Sequence, residues 1–261
     1  MRRLIACVIF LLGFFSPGWN QTYQGRLPGI KGHQIDPGKQ LWVWSDQVLR
    51  VHQTDTLFFD QSFLQAGNIY SIDVYNPLKV LVFFKDQSQI LWVDNRGAAL
   101  RSTLNFMDIG LEQASAVASG YDNGLWVVTG QDMTLIRLNQ HLKEEFKVPN
   151  LHQLTKDPQA EIAWMLEQQN RLYLVSKTGC ISVWDIFGGL ISVFQIGQLP
   201  ETTELHRCPG GILLQNEQTE VRLLSNPPRP PEIKKRTADQ TGFSVDRQKD
   251  SYRWHSNPDK K

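Results

Sequence analysis

The histidines at positions 33, 52, 141, 152, 206 and 255 are the side chains best suited to proton transfer or metal ligation near neutral pH. No two stand one, two or four residues apart, the separations at which a strand or helix offers a pair to one ion, so no metal site is expected from residues close in sequence. Asp73, Glu112 and Glu161 fall beside segments that read as strands, and two such carboxylates a few ångströms apart do acid–base work on lactones or glycosides. Beyond Cys7, the chain has Cys180 and Cys208, which lie 28 residues apart. In an exported protein they can form a disulfide; at the starts of two apolar runs they can equally be small buried hydrophobes. Neither belongs to a Cys-x-x-Cys pair, and no Gly-x-Ser-x-Gly marks a nucleophile elbow. Gly188-Gly189 and Gly210-Gly211 read as turn formers, because neither opens a helix onto which a phosphate would dock. The sequence thus shows no reactive cluster and calls for no cofactor.

Any of these residues must be positioned by a repeated hairpin. Residues 122–139, DNGLWVVTGQDMTLIRLN, read as turn, strand, turn, strand: an Asx-Gly turn, a β-branched and aromatic run, a polar turn, and a second run. Softer copies begin at residues 41, 80, 172 and 212, so that the five starts are 39, 45, 47 and 40 residues apart. A period near forty with paired strands is the signature of propeller blades. Residues 70–74, 115–119 and 161–166 supply inner strands, and residues 99–106, 144–148 and 190–196 outer ones. The fold class predicted is all-β, a β-propeller of about five four-stranded blades over residues 19–226. A β-sandwich also has many short strands but lacks a recurring four-strand unit. Residues 22–27 are expected to complete the fifth blade, because Pro227-Pro228 follows its third strand almost at once. Only residues 151–156 and 108–118 invite a helix, and neither carries a helical stripe over three turns.

The two ends read differently. Arg2 and Arg3, an apolar run over residues 4–15 and Ser16-Pro17-Gly18 have the layout of a secretory signal peptide, residues 1–18. Twelve apolar residues span about 18 Å, too short for a hydrocarbon core of roughly 30 Å, so no transmembrane segment is expected once the signal is removed. At the other end, residues 227–261 start Pro-rich and become basic: residues 229–261 hold nine Lys and Arg against five acids. With few large apolar side chains this tail is expected to be disordered, with Lys234, Lys235 and Arg236 offered to an acidic partner surface or to lipid headgroups. The remainder is net acidic and lacks the basic stripe of a nucleic-acid binder. Six of the eight tryptophans occupy strand positions; those that pack between blades are structural, and any that share an exposed face, with Trp126, Trp164 and Trp184 as candidates, would anchor a ligand or partner.

Residues 70–79 (YSIDVYNPLK), residues 121–126 (YDNGLW) and Asp185-Ile186-Phe187-Gly188 resemble a group of small exported β-propeller-like proteins of Bacteroidota, mostly without assigned function. The resemblance spans about residues 67–196 and rests on turn motifs. It implies export to the periplasm of a Gram-negative cell and carries over no catalytic residues. Together these readings predict a non-catalytic periplasmic interaction platform, possible partners being envelope or outer-membrane proteins. The alternatives are a propeller-type lactonase or glycosidase, or a lectin-like sugar binder.

Overall fold

The computed structural model describes residues 22–53, 56–130, 133–157, 161–216, 218–224, 230–235, 243–246 and 251–255. Residues 1–18, where a signal peptide is expected, and Arg236 lie outside these. After β1 (Thr22–Arg26) the chain builds five four-stranded antiparallel sheets in strict succession. The first is β2 (Gly32–Ile35), β3 (Leu41–Trp44), β4 (Val48–Gln53) and β5 (Thr56–Ser62). The second is β6 (Ser71–Asp73), β7 (Val80–Phe84), β8 (Gln89–Val93) and β9 (Leu104–Asn105). β10 (Ala114–Ser119), β11 (Leu125–Thr129), β12 (Leu135–Leu138) and β13 (Glu144–Val148) make the third. The fourth has β14 (Ile162–Gln168), β15 (Arg171–Ser176), β16 (Cys180–Asp185) and β17 (Leu190–Gln195). The fifth has β18 (Glu204–Cys208), β19 (Gly211–Gln215), β20 (Thr219–Leu224) and β21 (Glu232–Lys235). Inner strands β2, β6, β10, β14 and β18 neighbour one another around a central channel, and contact between β18 and β2 closes the ring. This is the five-bladed propeller that the forty-residue period predicts. Among the described residues, helix is confined to Leu151–Thr155 and a 3-10 turn at Phe106–Ile109, and no helix is long and apolar enough to cross a membrane.

The middle strands are buried on both sides because each blade is covered by two neighbours. On β11, Trp126 and Val128 pack towards the fourth blade with Leu172, Leu174 and Trp184, while Leu125 and Val127 pack towards the second with Leu81, Phe83 and Trp92. The period-2 alternation therefore sorts side chains between two dry interfaces rather than between core and water. Three hairpins repeat one turn. Asp94, Asn139 and Asp185 each accept, through Oδ1, the backbone N–H groups two and four residues on. The fourth residue of each turn has positive φ and is Gly97, Leu142 or Gly188. Leu142 bears the left-handed cost of about 1–2 kcal/mol that glycine avoids, and its side chain compensates by packing against the core between the second and third blades.

The ends depart from expectation. Residues 22–27 do not complete the fifth blade: Glu232–Lys235 pairs with β20, Val221 opposite Ile233. The sequence hid this strand because all four of its side chains are exposed and three are charged, leaving no apolar run. The tail is also structured at two further segments, β22 (Phe243–Asp246) and β23 (Ser251–His255), which join β1 in a three-stranded sheet ordered β1-β23-β22. Too few apolar residues to fold alone is the right count for an isolated tail, but this tail borrows a partner. The β1–β23 backbones pair over five residues, and Tyr252 is buried with Leu27, Leu41 and Val43 on the face of the first blade turned away from the second. Its hydroxyl contacts the ring of buried His52.

Two outcomes follow. Tyr252→Ala should lower unfolding free energy by about 3 kcal/mol, as for other buried aromatics cut to alanine, measured by denaturant titration; a change below experimental error would show the terminal sheet to be loosely docked. Burial first, then nearby Arg50, lowers the His52 pKa from its ordinary 6.5, with Asp60 opposing. The folded state favours the neutral ring, so its stability contribution is complete above pH 6.5 and is lost as pH falls from there through the lowered folded value. The melting temperature should decline over that window, and His52→Gln should flatten the decline.

Candidate functional site

A cavity of about 360 Å³ occupies the channel, walled by inner-strand residues that include Ile72, Val117, Ala163, Trp164 and Leu205. Its polar groups gather towards the two ends of the strands. Where the strands begin, Lys85 and Lys177 both pair with Glu161, at 2.8 and 3.0 Å, and the Lys85 ammonium lies 4.7 Å over the ring of Tyr70. The Lys85 hydrogen bond holds the Glu161 carboxyl below the ordinary range despite its partial burial, with Lys177 adding to the effect. Burial pushes the Tyr70 hydroxyl up to about 12, so it stays protonated. Close by, His33 Nδ1 and His206 Nε2 converge on Glu204 Oε2 at 2.7 and 3.2 Å, joining the first blade to the last. Burial opposes charge on Glu204, yet the two imidazoles hold its pKa down at about 2.

Where the inner strands end, Asp73 accepts the backbone N–H groups of Tyr75 and Ser119 and pairs with Arg207 Nη2 at 2.8 Å. Arg207 thereby links the fifth blade to the second, and its guanidinium lies 5.1 Å over Tyr75. Glu167, buried on β14, accepts Trp126 Nε1–H at 2.5 Å and the Tyr121 N–H at 3.0 Å, tying the third blade to the fourth. Burial pushes its carboxyl up, against those two hydrogen bonds.

The carboxylates singled out from sequence are not brought together. Glu161 lies just before its inner strand, Asp73 at the far end of another, and Glu112 is exposed on the segment before β10. Of the tryptophans, Trp126 and Trp184 are fully buried between the third and fourth blades, whereas Trp164 lines the channel. Lys234 and Lys235 are exposed on β21, with Lys234 beside Glu232 at 3.5 Å. Cys180 and Cys208 are free and buried, and burial pushes the Cys180 thiol up to about 11. His33, Glu167 and Arg207 escape sequence reasoning because their partners come from other blades, whereas Glu204 and His206, two residues apart on β18, escape it because histidine spacing was compared only with other histidines. The only local hint was charge inside a strand: β18 reads ELHRC.

Comparison with known proteins gives the fold and nothing finer. No family model matches the chain, and no curated protein matches it in sequence. Among solved structures it is similar to the WD40 domain of Pan2 from Neurospora crassa, with a TM-score of 0.61 and 9% identity over 92% of this chain and 96% of that one. Virginiamycin B lyase from Staphylococcus aureus aligns with a TM-score of 0.56 and 12% identity over 92% and 100% of the two chains. A streptogramin B lyase aligns with a TM-score of 0.57 and 11% identity over 83% and 73%. The chain is built as a β-propeller. At such identities the likeness says nothing of activity.

Asp73→Ala should test the cross-channel tie. It removes the acceptor of two backbone N–H groups and leaves the half-buried Arg207 without its carboxylate, so a loss of about 2–4 kcal/mol is expected in chemical denaturation. Stability equal to the parent protein would show the Asp73–Arg207 pair to be dispensable.

Proposed function

We propose that this protein is a non-catalytic interaction platform that docks a protein partner on the propeller face where the inner strands end. The observation that carries the reading is a pair of adjoining turns on the second and third blades, which present Tyr75, Leu78 and Tyr121 at 38%, 66% and 52% exposure. The turns are pinned to each other: Lys79 Nζ donates to the Asn123 carbonyl at 3.0 Å, and Asn76 meets Asn123 at 3.4 Å. Arg207 lies over Tyr75, so that ring is held in place as well. Pre-set aromatic and aliphatic side chains on a rigid scaffold are the usual anchors of a protein interface, since little entropy is lost when they are covered. The signal-like layout of the first eighteen residues supports export, and the resemblance to exported propeller-like proteins of Bacteroidota supports the periplasm of a Gram-negative cell, with envelope proteins as the partner class.

The hydrolase alternative needs a carboxylate pair free to exchange protons. What supports the non-catalytic reading over it is that Glu161 is engaged by two lysines, Asp73 by Arg207 and two backbone N–H groups, and Glu167 by Trp126 and Tyr121. The test is crosslinked capture from the native envelope with parent protein and with a Leu78→Asp, Tyr121→Asp double variant. The expected result is one specific envelope protein recovered by the parent and at least about tenfold less by the double variant, with unchanged melting temperature. Equal recovery by both would remove this face from the interface, and turnover of a lactone or glycoside, abolished by Glu161→Gln, would overturn the non-catalytic reading.

A further inference from the structure

We propose that His33, Glu204 and His206 form a site for a zinc-class divalent cation that clasps the first blade to the last. The ligand atoms come from the two inner strands that close the ring: His33 from β2, Glu204 and His206 from β18. One nitrogen from each ring and one carboxylate oxygen lie within 4.8 Å of one another, and the ring centroids are 4.8 Å apart. A four-coordinate ion with bonds of about 2.0–2.1 Å sets its ligand atoms about 3.3 Å apart. The two nitrogen–oxygen separations, 2.7 and 3.2 Å, are already near that edge, so binding requires side-chain adjustment alone. The backbone is fixed independently of the ion, because Gln34 Nε2 donates to the Leu205 carbonyl across the same joint at 2.7 Å.

The hydrogen-bond chemistry points the same way. His206 Nε2 faces Glu204 Oε2 at 3.2 Å and the side-chain amide of Gln215 at 2.9 Å. That ring nitrogen can donate to the carboxylate or accept from the Gln215 Nε2–H, but it cannot do both. An ion between the rings and the carboxylate lets both imidazoles present lone pairs and leaves a fourth position for a water. Two imidazoles and one carboxylate form a borderline-soft donor set that suits zinc and its neighbours, whereas calcium and magnesium seek oxygen shells. His33 is buried, Glu204 and His206 are half-buried, and Glu204 lines the channel, which gives an ion a route in.

The site matters where it is. The four other joints between successive blades are closed by extended apolar clusters, but among the described residues no such cluster joins the fifth blade to the first: Leu27 and Tyr252, from outside the repeats, pack on Leu41 and Val43 of the first blade without a residue of the fifth. A cation there would act as a staple between parts of the chain remote in sequence, stabilising the folded state by binding it alone.

The experiment uses the full chain, treated with chelator and then titrated with Co²⁺ as a spectroscopic stand-in for Zn²⁺. One equivalent should bring up the intense visible absorption of four-coordinate cobalt, Zn²⁺ should abolish it, and Zn²⁺ should raise the melting temperature while Mg²⁺ and Ca²⁺ do not. His206→Ala and Glu204→Gln should each weaken Zn²⁺ binding by well over about tenfold, since loss even of an outer-shell partner costs that much. Melting in chelator verifies that each variant folds. If neither variant folds, the parent protein's cobalt spectrum decides alone. Absence of that spectrum, an equal response in folded variants, or an equal thermal shift with Mg²⁺ would each overturn the site and leave His33, Glu204 and His206 as an ion-paired cluster.

Discussion

A blade with two apolar faces cannot end a row, and closure of the ring is the constraint on which the rest of this structure depends. Each middle strand contributes side chains to two interfaces, so the first and last blades must each find a cover. The first and last blades meet through polar contacts, and an apolar face of the first blade is covered from outside the repeats. Near the axis the contact is polar, through Gln34 to the Leu205 carbonyl and His33 to Glu204. Farther out, Tyr252 lies against Leu41 and Val43, delivered there by a sheet in which the first described strand pairs with the last. Residues outside the repeats are thus part of the fold, because they cover a face that no sixth blade covers.

The same constraint explains why the carboxylates at the ends of the inner strands are paired. Inner strands diverge less than outer ones, and side chains from different blades meet across a narrow space. A carboxylate placed there finds backbone N–H groups or cations within reach: Asp73 takes Ser119 and Arg207, Glu167 takes Trp126 and Tyr121, and Glu161 takes Lys85 and Lys177. Charges removed from water must be paired, and pairing across blades makes them specify the register of one blade against the next. Pairing of this kind ties the blades of the ring together.

The turns themselves are built for rigidity. Asp94, Asn139 and Asp185 each hold two backbone N–H groups, and Asn76 and Lys79 on one blade reach Asn123 on the next. A loop so fixed loses little freedom when a partner covers it, and this joins the fold to the proposed role: the scaffold supplies position and the side chains at the turn tips supply contact.

The propeller class, a count of about five four-stranded units and most strand positions are legible in the sequence, because they depend on local chemistry: β-branched and aromatic runs, Asx-Gly turns and a period near forty. Local patterning could not show the partners of strands whose side chains stay in water. Glu232–Lys235 has no apolar signature, and Ser251–His255 acquires its place from backbone pairing with Thr22–Arg26, a contact between opposite ends of the chain. Spacing between histidines alone pairs none of them and passes over Glu204, two residues before His206 on β18; ring closure then brings His33 to the same carboxylate. Tryptophans divided likewise: all share strand chemistry, and only the direction each faces, inward to a neighbouring blade for Trp126 and Trp184 or into the channel for Trp164, separates packing from a reachable surface. Sequence determines which elements form, since that depends on neighbours within a few residues; the closed ring decides which residues meet, since that depends on how the last blade finds the first.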